Sequence, residues 1–526
     1  MKHTLGLTCI TALAMAACSA GAEDPTGETV AATSAALSAA ETPVYNGGAL
    51  ETSPAIVLLF WGPNVNSIVK NAMPGFYQTI TSNAYLDVAD EYGTTTQVLG
   101  RGTFSAQVTI TPAHTSTALT DADVQAELFS QVQAGKVPAI SGGIYQIYFP
   151  PGVTIDRSCH DFCAYHRSTT IPFSIGGLTV AYSVIPDMGP GSGCSCGSGT
   201  QLENTSALSS HELMESITDP FPNTGWSPEV ADPRICQDDV ATPRGTIFAA
   251  NGTSYRVQPI WSLAAGACVS VPPATVGVFR PGSGSVQDEW LLRSTNTAGS
   301  PNFDFIYGGP GDQPVVGDWN GSNERTIGIY RPSTFQWYLR NSNTAGNPDI
   351  TAFAYGGQGD IPIVGDWDGN GTTTVGVFRP AGGPLNQTTA DQWLLKNSNS
   401  QGSPDIQFSY GQAGDIPVVG DWTGIGKTTI GVYRPSSNQW FLRNSNSAGN
   451  PDIPVFAYGG TGDMPVVGSW SGNGKTTVGV YRPAPNSSSP AQWLLRNSNT
   501  AGSPDLTVNY GGLGDLPVVG PWRRHL

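Results

Sequence analysis

The run "SSHELMESITDP", residues 209 to 220, places His211, Glu215 and Asp219 at intervals of four, with Glu212 beside the first of them. Residues four apart share one face of a helix, so His211 and Glu215 present an imidazole nitrogen and a carboxylate oxygen to one point in space. Such a pair suits a divalent metal, and a carboxylate next to the first ligand is placed to take a proton from water. The chain has only 6 histidines among 526 residues, which makes one in this setting worth following.

The spacing is that of the HExxH zinc peptidases, with Glu215 in the place of the second histidine. A carboxylate remains a competent zinc ligand. Two ligands do not hold a catalytic zinc, so a third is needed. The stretch "WSPEVADPRIC" just downstream offers Glu229 and Asp232, and Asp219 is a further candidate if the helix runs that far. His166, in "CHDFCAYHRS", is another histidine that could reach the site, although with His160 it is read first as part of a disulfide-stapled loop. The opposing reading is structural: Glu212 and Glu215 face solvent, and His211 is a satisfied polar residue on a packed helix. A serine hydrolase is set aside because "GSGCSCGSG" reads as a flexible cysteine loop rather than a nucleophile elbow.

These residues need a scaffold. Ser and Thr ahead of His211 and Pro220 behind it predict a helix from about Ser206 to Ile217. The apolar run "AIVLLFWG", Ala55 to Gly62, predicts a buried strand; "TDADVQAELFSQVQAG", Thr120 to Gly135, predicts a capped helix. "GIYQIYFP" and "LTVAYSVIP" add two strands, and "FAANGTSYRV" predicts a hairpin turning at Asn251-Gly252. Together they define a zincin-like α/β domain over residues 43–270, its zincin character inferred from the His211 helix.

Five stretches of this region, "YNGGALETSPAIVLLFWG", "CHDFCAYHRS", "SSHELMESITDP", "EVADPRIC" and "VQPIWS", occur in the order of similar stretches in the EXORDIUM-like, phosphate-induced protein family. The segment resembles bacterial relatives of that family over about residues 45–270. Glu229, Val230, Ala231, Asp232 and Cys236 match its E-I-A-D-x-C-like element, with Pro233 and Arg234 as two extra residues before Ile235. The resemblance implies an extracellular protein with this fold, and no particular reaction.

From residue 271 the sequence repeats. Arg-Pro pairs begin at Arg280, Arg331, Arg379, Arg434 and Arg482; tryptophans recur at Trp290, Trp337, Trp393, Trp440 and Trp493; Gly-Asp-x-Pro aspartates fall at Asp312, Asp360, Asp415, Asp463 and Asp515. Five units of about fifty residues result, each with four strand-like stretches, as in a propeller blade. The first unit opens without the "PVVGDW" strand and the last closes on "LPVVGPW", so the final strand is expected to complete the first blade. The recurring aromatic residues are expected to pack the blades rather than to form a sugar-stacking surface.

"GDIPIVGDWDGNGTTTVGVFRP" resembles the FG-GAP and VCBS-like blades of secreted bacterial proteins, and the likeness covers residues 271–526. Calcium in the blade loops, which that resemblance implies, is disfavoured. Asp366, Asp368 and Asn370 keep the first ligand positions, but Thr374 replaces the last acidic residue, and "DWTGIGKTT" and "SWSGNGKTT" lose more.

The beginning, residues 1–22, carries Lys2 followed by an apolar stretch too short to span a bilayer, and is read as an export signal. "MAAC" ending at Cys18 resembles a lipobox and "AGA" offers ordinary cleavage instead; lipidation of Cys18 is the preferred reading. Residues 23–42 lack aromatic side chains and are read as a disordered linker. In an exported protein, Cys159, Cys163, Cys194, Cys196, Cys236 and Cys268 predict three disulfides, in any of fifteen pairings.

A net charge of −16 without a basic stretch excludes nucleic acid, and leaves a lipid anchor as the link to a membrane. The expectation is an exported, zinc-dependent, peptidase-like protein of the cell envelope or medium, whose five-bladed propeller binds an extracellular protein or polysaccharide. The alternative is a non-enzymatic extracellular binding protein.

Overall fold

A computed structural model describes residues 43–522 other than 161, 173–176, 191, 193, 195, 198, 228–244, 250–252, 264 and 323. Residues 1–42, read above as export signal and linker, together with Cys18, Glu229, Asp232, Cys236 and the expected turn at Asn251-Gly252, lie outside the described residues.

The first half is built on a five-stranded sheet. In chain order its strands and helices are β1 (Ala55–Phe60), α1 (Ser67–Ile80), β2 (Thr103–Thr109), α2 (Asp121–Gln133), β3 (Gly143–Tyr148), β4 (Tyr165–Pro172), β5 (Gly177–Ile185) and α3 (Gln201–Thr218). The sheet order is β2-β1-β3-β5-β4. The first four of these strands are mutually parallel, and β4 runs antiparallel to β5 at the edge. β1 and β3 are buried on both faces and accordingly read as continuous apolar runs, AIVLLF and GIYQIY.

Alternation along these strands serves two cores. Ile56, Leu58, Phe60, Ile144 and Tyr148 pack with Val69, Met73 and Phe76 of α1 and with Leu213, Met214 and Ile217 of α3. Val57, Leu59, Tyr145 and Ile147 face α2 through Val124, Leu128 and Val132 on the opposite side. The domain is a three-layer α/β/α arrangement with α3 in the layer of α1. Burying each such aliphatic side chain contributes roughly 1.5–3 kcal/mol.

Expected and observed elements differ in places. The helix carrying His211 starts at Gln201 rather than near Ser206, because Thr200 and Glu203 form a reciprocal capping box five residues earlier. Helix α1 and strands β2 and β4 have no counterpart in the sequence reading. Pro74 and Gly75 stand inside α1, and β4 (YHRSTTIP) is polar along most of its length.

The second half is a closed five-bladed propeller of four-stranded antiparallel sheets. Each sheet takes its innermost strand from the Gly-Asp-x-Pro stretch: residues 313–317, 361–365, 416–420, 464–468 and 516–520. These inner strands contact one another in sequence around the axis, and 516–520 meets 313–317 to complete the ring. The last strand pairs with Thr275–Arg280, as Thr275↔Gly520 and Phe279↔Leu516, so the C-terminal segment closes the first blade as expected.

The recurring tryptophans are core. All five are fully buried, and their indole N–H groups donate to the carbonyls of Tyr307, Tyr355, Tyr410, Tyr458 and Tyr510 at 2.8–3.0 Å. The Arg-Pro and Gly-Asp-x-Pro series meet, each arginine holding its own blade's aspartate: Arg331–Asp312, Arg379–Asp360, Arg434–Asp415, Arg482–Asp463 and, across the closure, Arg280–Asp515. Asp366, the first residue of the calcium-like loop, accepts backbone N–H groups from Gly369, Asn370 and Gly371 and acts as the hub of a glycine-rich turn.

Candidate metal centre

Helix α3 is polar in composition yet has no exposed residue; only Leu202, Glu203 and Leu208 are partly accessible. Its small hydroxyl residues make this possible by bonding back to the helix: Ser209 to Thr205 O, Ser210 to Ala207 O and Thr218 to Met214 O. A buried hydroxyl chain fixes it against the layer of α1 and the sheet. Tyr77 and Tyr148 share a hydrogen bond of 2.9 Å, and Tyr148 and Ser209 one of 2.8 Å. Burial, above all, drives both phenols upward and keeps them protonated.

The solvated-face reading of this helix fails. Glu212 is 1% and Glu215 0% exposed, and His211 is 7% exposed. His211 Nε2 lies 2.9 Å from Glu215 Oε1. His166, at the start of edge strand β4, reaches the same carboxylate: its Nδ1 is 3.3 Å from Glu215 Oε2 and 3.9 Å from Glu212 Oε2. One donor atom each from His166, Glu212 and Glu215 fall within 4.8 Å of one another. Glu215 therefore sits between the two histidines, with Glu212 alongside.

The outer nitrogens of both rings are held. His166 Nε2 is 3.0 Å from the carbonyl of Asp219, which can only accept, so that nitrogen carries the proton. His211 Nδ1 lies 3.0 Å from Gln258 Oε1 and donates to it. In their neutral forms both rings then direct a nitrogen lone pair toward a Glu215 oxygen. Outer-nitrogen donation to a carbonyl or amide oxygen is the second layer that orients metal-binding imidazoles. The donors of His166, Glu212 and Glu215 converge, and His211 meets the other oxygen of Glu215; nitrogen and oxygen donors of this mixed kind are ones that divalent cations accept.

Each supporting group has a traceable origin. Gln258, which follows the strand Ser254–Val257, docks on α3 twice, its backbone N–H donating to Ser210 Oγ at 2.9 Å. Asp219, which follows α3, is not turned to the site through its carboxylate. That group accepts the N–H groups of Thr224 and Gly225 at 3.0 and 2.6 Å, and that of Asn223, while its carbonyl serves His166. Burial raises the Asp219 carboxyl and these N–H groups partly offset the rise. Gly225 permits the turn, since a Cβ there would collide with the Thr218 carbonyl.

Disulfides hold β4 to α3. Cys159–Cys194 and Cys163–Cys196 tie the segment just before His166 to the loop that leads into α3. Cys268 is also disulfide-bonded. His160 is exposed and sits 3.3 Å from an Arg157 nitrogen, away from the cluster. Of the sequence candidates, His211, Glu212 and Glu215 are brought together, while Glu229 and Asp232 lie outside the described residues. Gln258 had no assigned role; its presence in "VQPIWS", within the ordered set of motifs, was the available signal.

No family model, no curated protein and no solved structure matches this chain.

Proposed function

We propose that the first domain is a zincin-like, zinc-dependent peptidase of an exported protein, and that the propeller holds it to an extracellular protein or polysaccharide. The observation that carries this reading is the pair of buried imidazoles, each donating outward and each facing a different oxygen of Glu215. The helix with its HExxE spacing and the antiparallel edge strand beside it support the zincin-like assignment. The two disulfides and the apolar beginning of the chain support export. The ordered motifs support kinship with the EXORDIUM-like family, and the blade repeats support an FG-GAP-like origin.

His166, His211 and Glu215 would hold the zinc, which supplies Lewis acidity toward a peptide carbonyl and its attacking water. Gln258 and the Asp219 carbonyl keep both imidazoles in the tautomer that offers a lone pair inward. Glu212, adjacent to His211 in sequence and to Glu215 in space, accepts the proton from the attacking water and returns it to the departing amine. The Tyr77–Tyr148–Ser209 chain fixes the rotation of α3 and so the aim of all three helix side chains.

The test is Glu212→Gln, which preserves size and helical preference. It should retain the metal and the fold and lose hydrolysis of an unfolded protein substrate by at least about a hundredfold. Undiminished hydrolysis by this variant would refute the assignment of Glu212 as the base.

A further inference from the structure

Five positions of the propeller carry a cation over a tyrosine of the preceding blade: Arg293 on Tyr510, Arg340 on Tyr307, Lys396 on Tyr355, Arg443 on Tyr410 and Arg496 on Tyr458, at 5.7–5.9 Å. The four arginines fill their sites with a fork. In Arg340, for example, Nη1 donates to the carbonyl of Asn347 while Nη2 donates to Ser342 and Thr344, both at 2.9 Å. The other three follow the same pattern. The third blade departs from it. Lys396 donates along the first arm, to Ser403 O at 3.0 Å, and has no second arm for Ser398 and Ser400, whose hydroxyls bond each other at 2.8 Å as the equivalent pairs do in the arginine blades.

At this interface there is a cavity of about 350 Å3. Val377 and Leu394 supply apolar walls, buried Tyr355 lines it from the second blade, and Arg379, Pro404 and exposed Gln407 complete its rim. The hydroxyl of Tyr355 is buried without a hydrogen-bond partner among the described residues, as are those of Tyr307, Tyr410, Tyr458 and Tyr510 in the other blades, and here it borders the cavity and can be met from it. The charge of Arg379 is matched by Asp360, at 2.8 and 2.9 Å, and Lys396 lies 3.8 Å from Asp405. An anion therefore finds no uncompensated positive charge here. The accessible walls are more polar than apolar, with phenol, amide and guanidinium groups beside smaller apolar patches, in a volume at the low end of ligand pockets.

We propose that this interblade cavity is a binding site for a single neutral sugar ring, opened by lysine standing where the other blades have arginine. A pyranose matches the walls, with C–H faces for Val377, Leu394 and Pro404 and hydroxyls for Tyr355 and Gln407. The site is independent of the metal centre.

The test uses the full-length protein with glucose, galactose, mannose, fucose and N-acetylglucosamine, each offered at millimolar concentration and followed by saturation-transfer NMR. At least one should bind. Lys396→Arg restores the residue of the other four blades, so folding is not at risk, and it should weaken binding by at least about tenfold, equivalent to about 1.4 kcal/mol. Tyr355→Phe should weaken it by about fivefold, and His211→Ala should leave it unchanged. Failure of all five sugars to bind, or full binding by Lys396→Arg, overturns the proposal.

Discussion

Arg280 and Asp515 stand 235 residues apart in sequence and are joined by two hydrogen bonds, Nε to Oδ1 at 2.8 Å and Nη2 to Oδ2 at 3.1 Å. In each of the other blades the same pair is separated by 19 residues. The first blade thus reproduces a local contact over nearly the whole length of the propeller, and that contact helps to clasp the ring. Asp515 is fully buried in its side chain, so removal of the guanidinium strands a carboxylate. Arg280→Ala should destabilise the propeller by about 1–3 kcal/mol in urea unfolding. A loss of less than about 0.5 kcal/mol would show that the strand pairing alone closes the ring.

A second consequence concerns acid. Burial, chiefly, raises the carboxyl of Asp391 to about 6; the Ala381 N–H opposes this and nearby Asp415 adds to it. Asp288 in the first blade is raised to about 6 for the same reason. Between roughly pH 4 and 6 the folded chain holds a proton that the unfolded chain has released. The stability contributed by that proton is complete below about pH 4 and is lost as pH rises through 6. Asp391→Asn keeps an acceptor for Ala381 and removes the charge. Relative to the parent, it should be more favourable at pH 7.5 than at pH 4.5 by on the order of 1–2 kcal/mol, read from thermal unfolding at both values. An equal effect at both pH values would contradict the assignment.

The propeller was legible because its repeats state the same physical solution five times. Trp290 and its counterparts occupy equivalent places in alternating strands, and the offset between the first and last units announces the closing strand. The first domain was partly legible. β1 and β3 are apolar runs, and α2 has its Thr120 cap, but β4 is polar and short of pattern, so the strand that delivers His166 left little trace. His166 and His211 are 45 residues apart, and only the sheet order and the disulfides bring them together. Glu212 and Glu215 could be assigned to a helix from spacing, yet their burial depends on Tyr148, Tyr77 and Gln258, which pack from distant segments.

The disulfides should matter to the site more than to the propeller. Cys163 and Cys196 close a loop spanning 33 residues, and a bridge of that length contributes about 2–4 kcal/mol. The double variant Cys163→Ser with Cys196→Ser should loosen β4 from α3 and weaken metal affinity by at least about tenfold. Propeller unfolding should stay as it was. Unchanged affinity would show that sheet packing alone places His166.

Gln258 separates an orienting role from a ligand role. Gln258→Ala removes the acceptor for His211 Nδ1 but no metal ligand, so it should weaken metal binding by about tenfold to a hundredfold without abolishing it. Gln258→Glu keeps an acceptor and should restore most of the affinity. Failure of the glutamate variant to do better than alanine would remove Gln258 from the account.

The most direct measurement is the zinc content of the full-length protein, purified with its disulfides intact, with zinc supplied and without chelators. The account predicts close to one zinc per chain in the parent and in Glu212→Gln, and its loss in His166→Ala, His211→Ala and Glu215→Ala with the fold retained by circular dichroism. A parent protein free of zinc, or His166→Ala and Glu215→Ala variants that keep it, would contradict the metal centre and leave α3 as a buried structural helix.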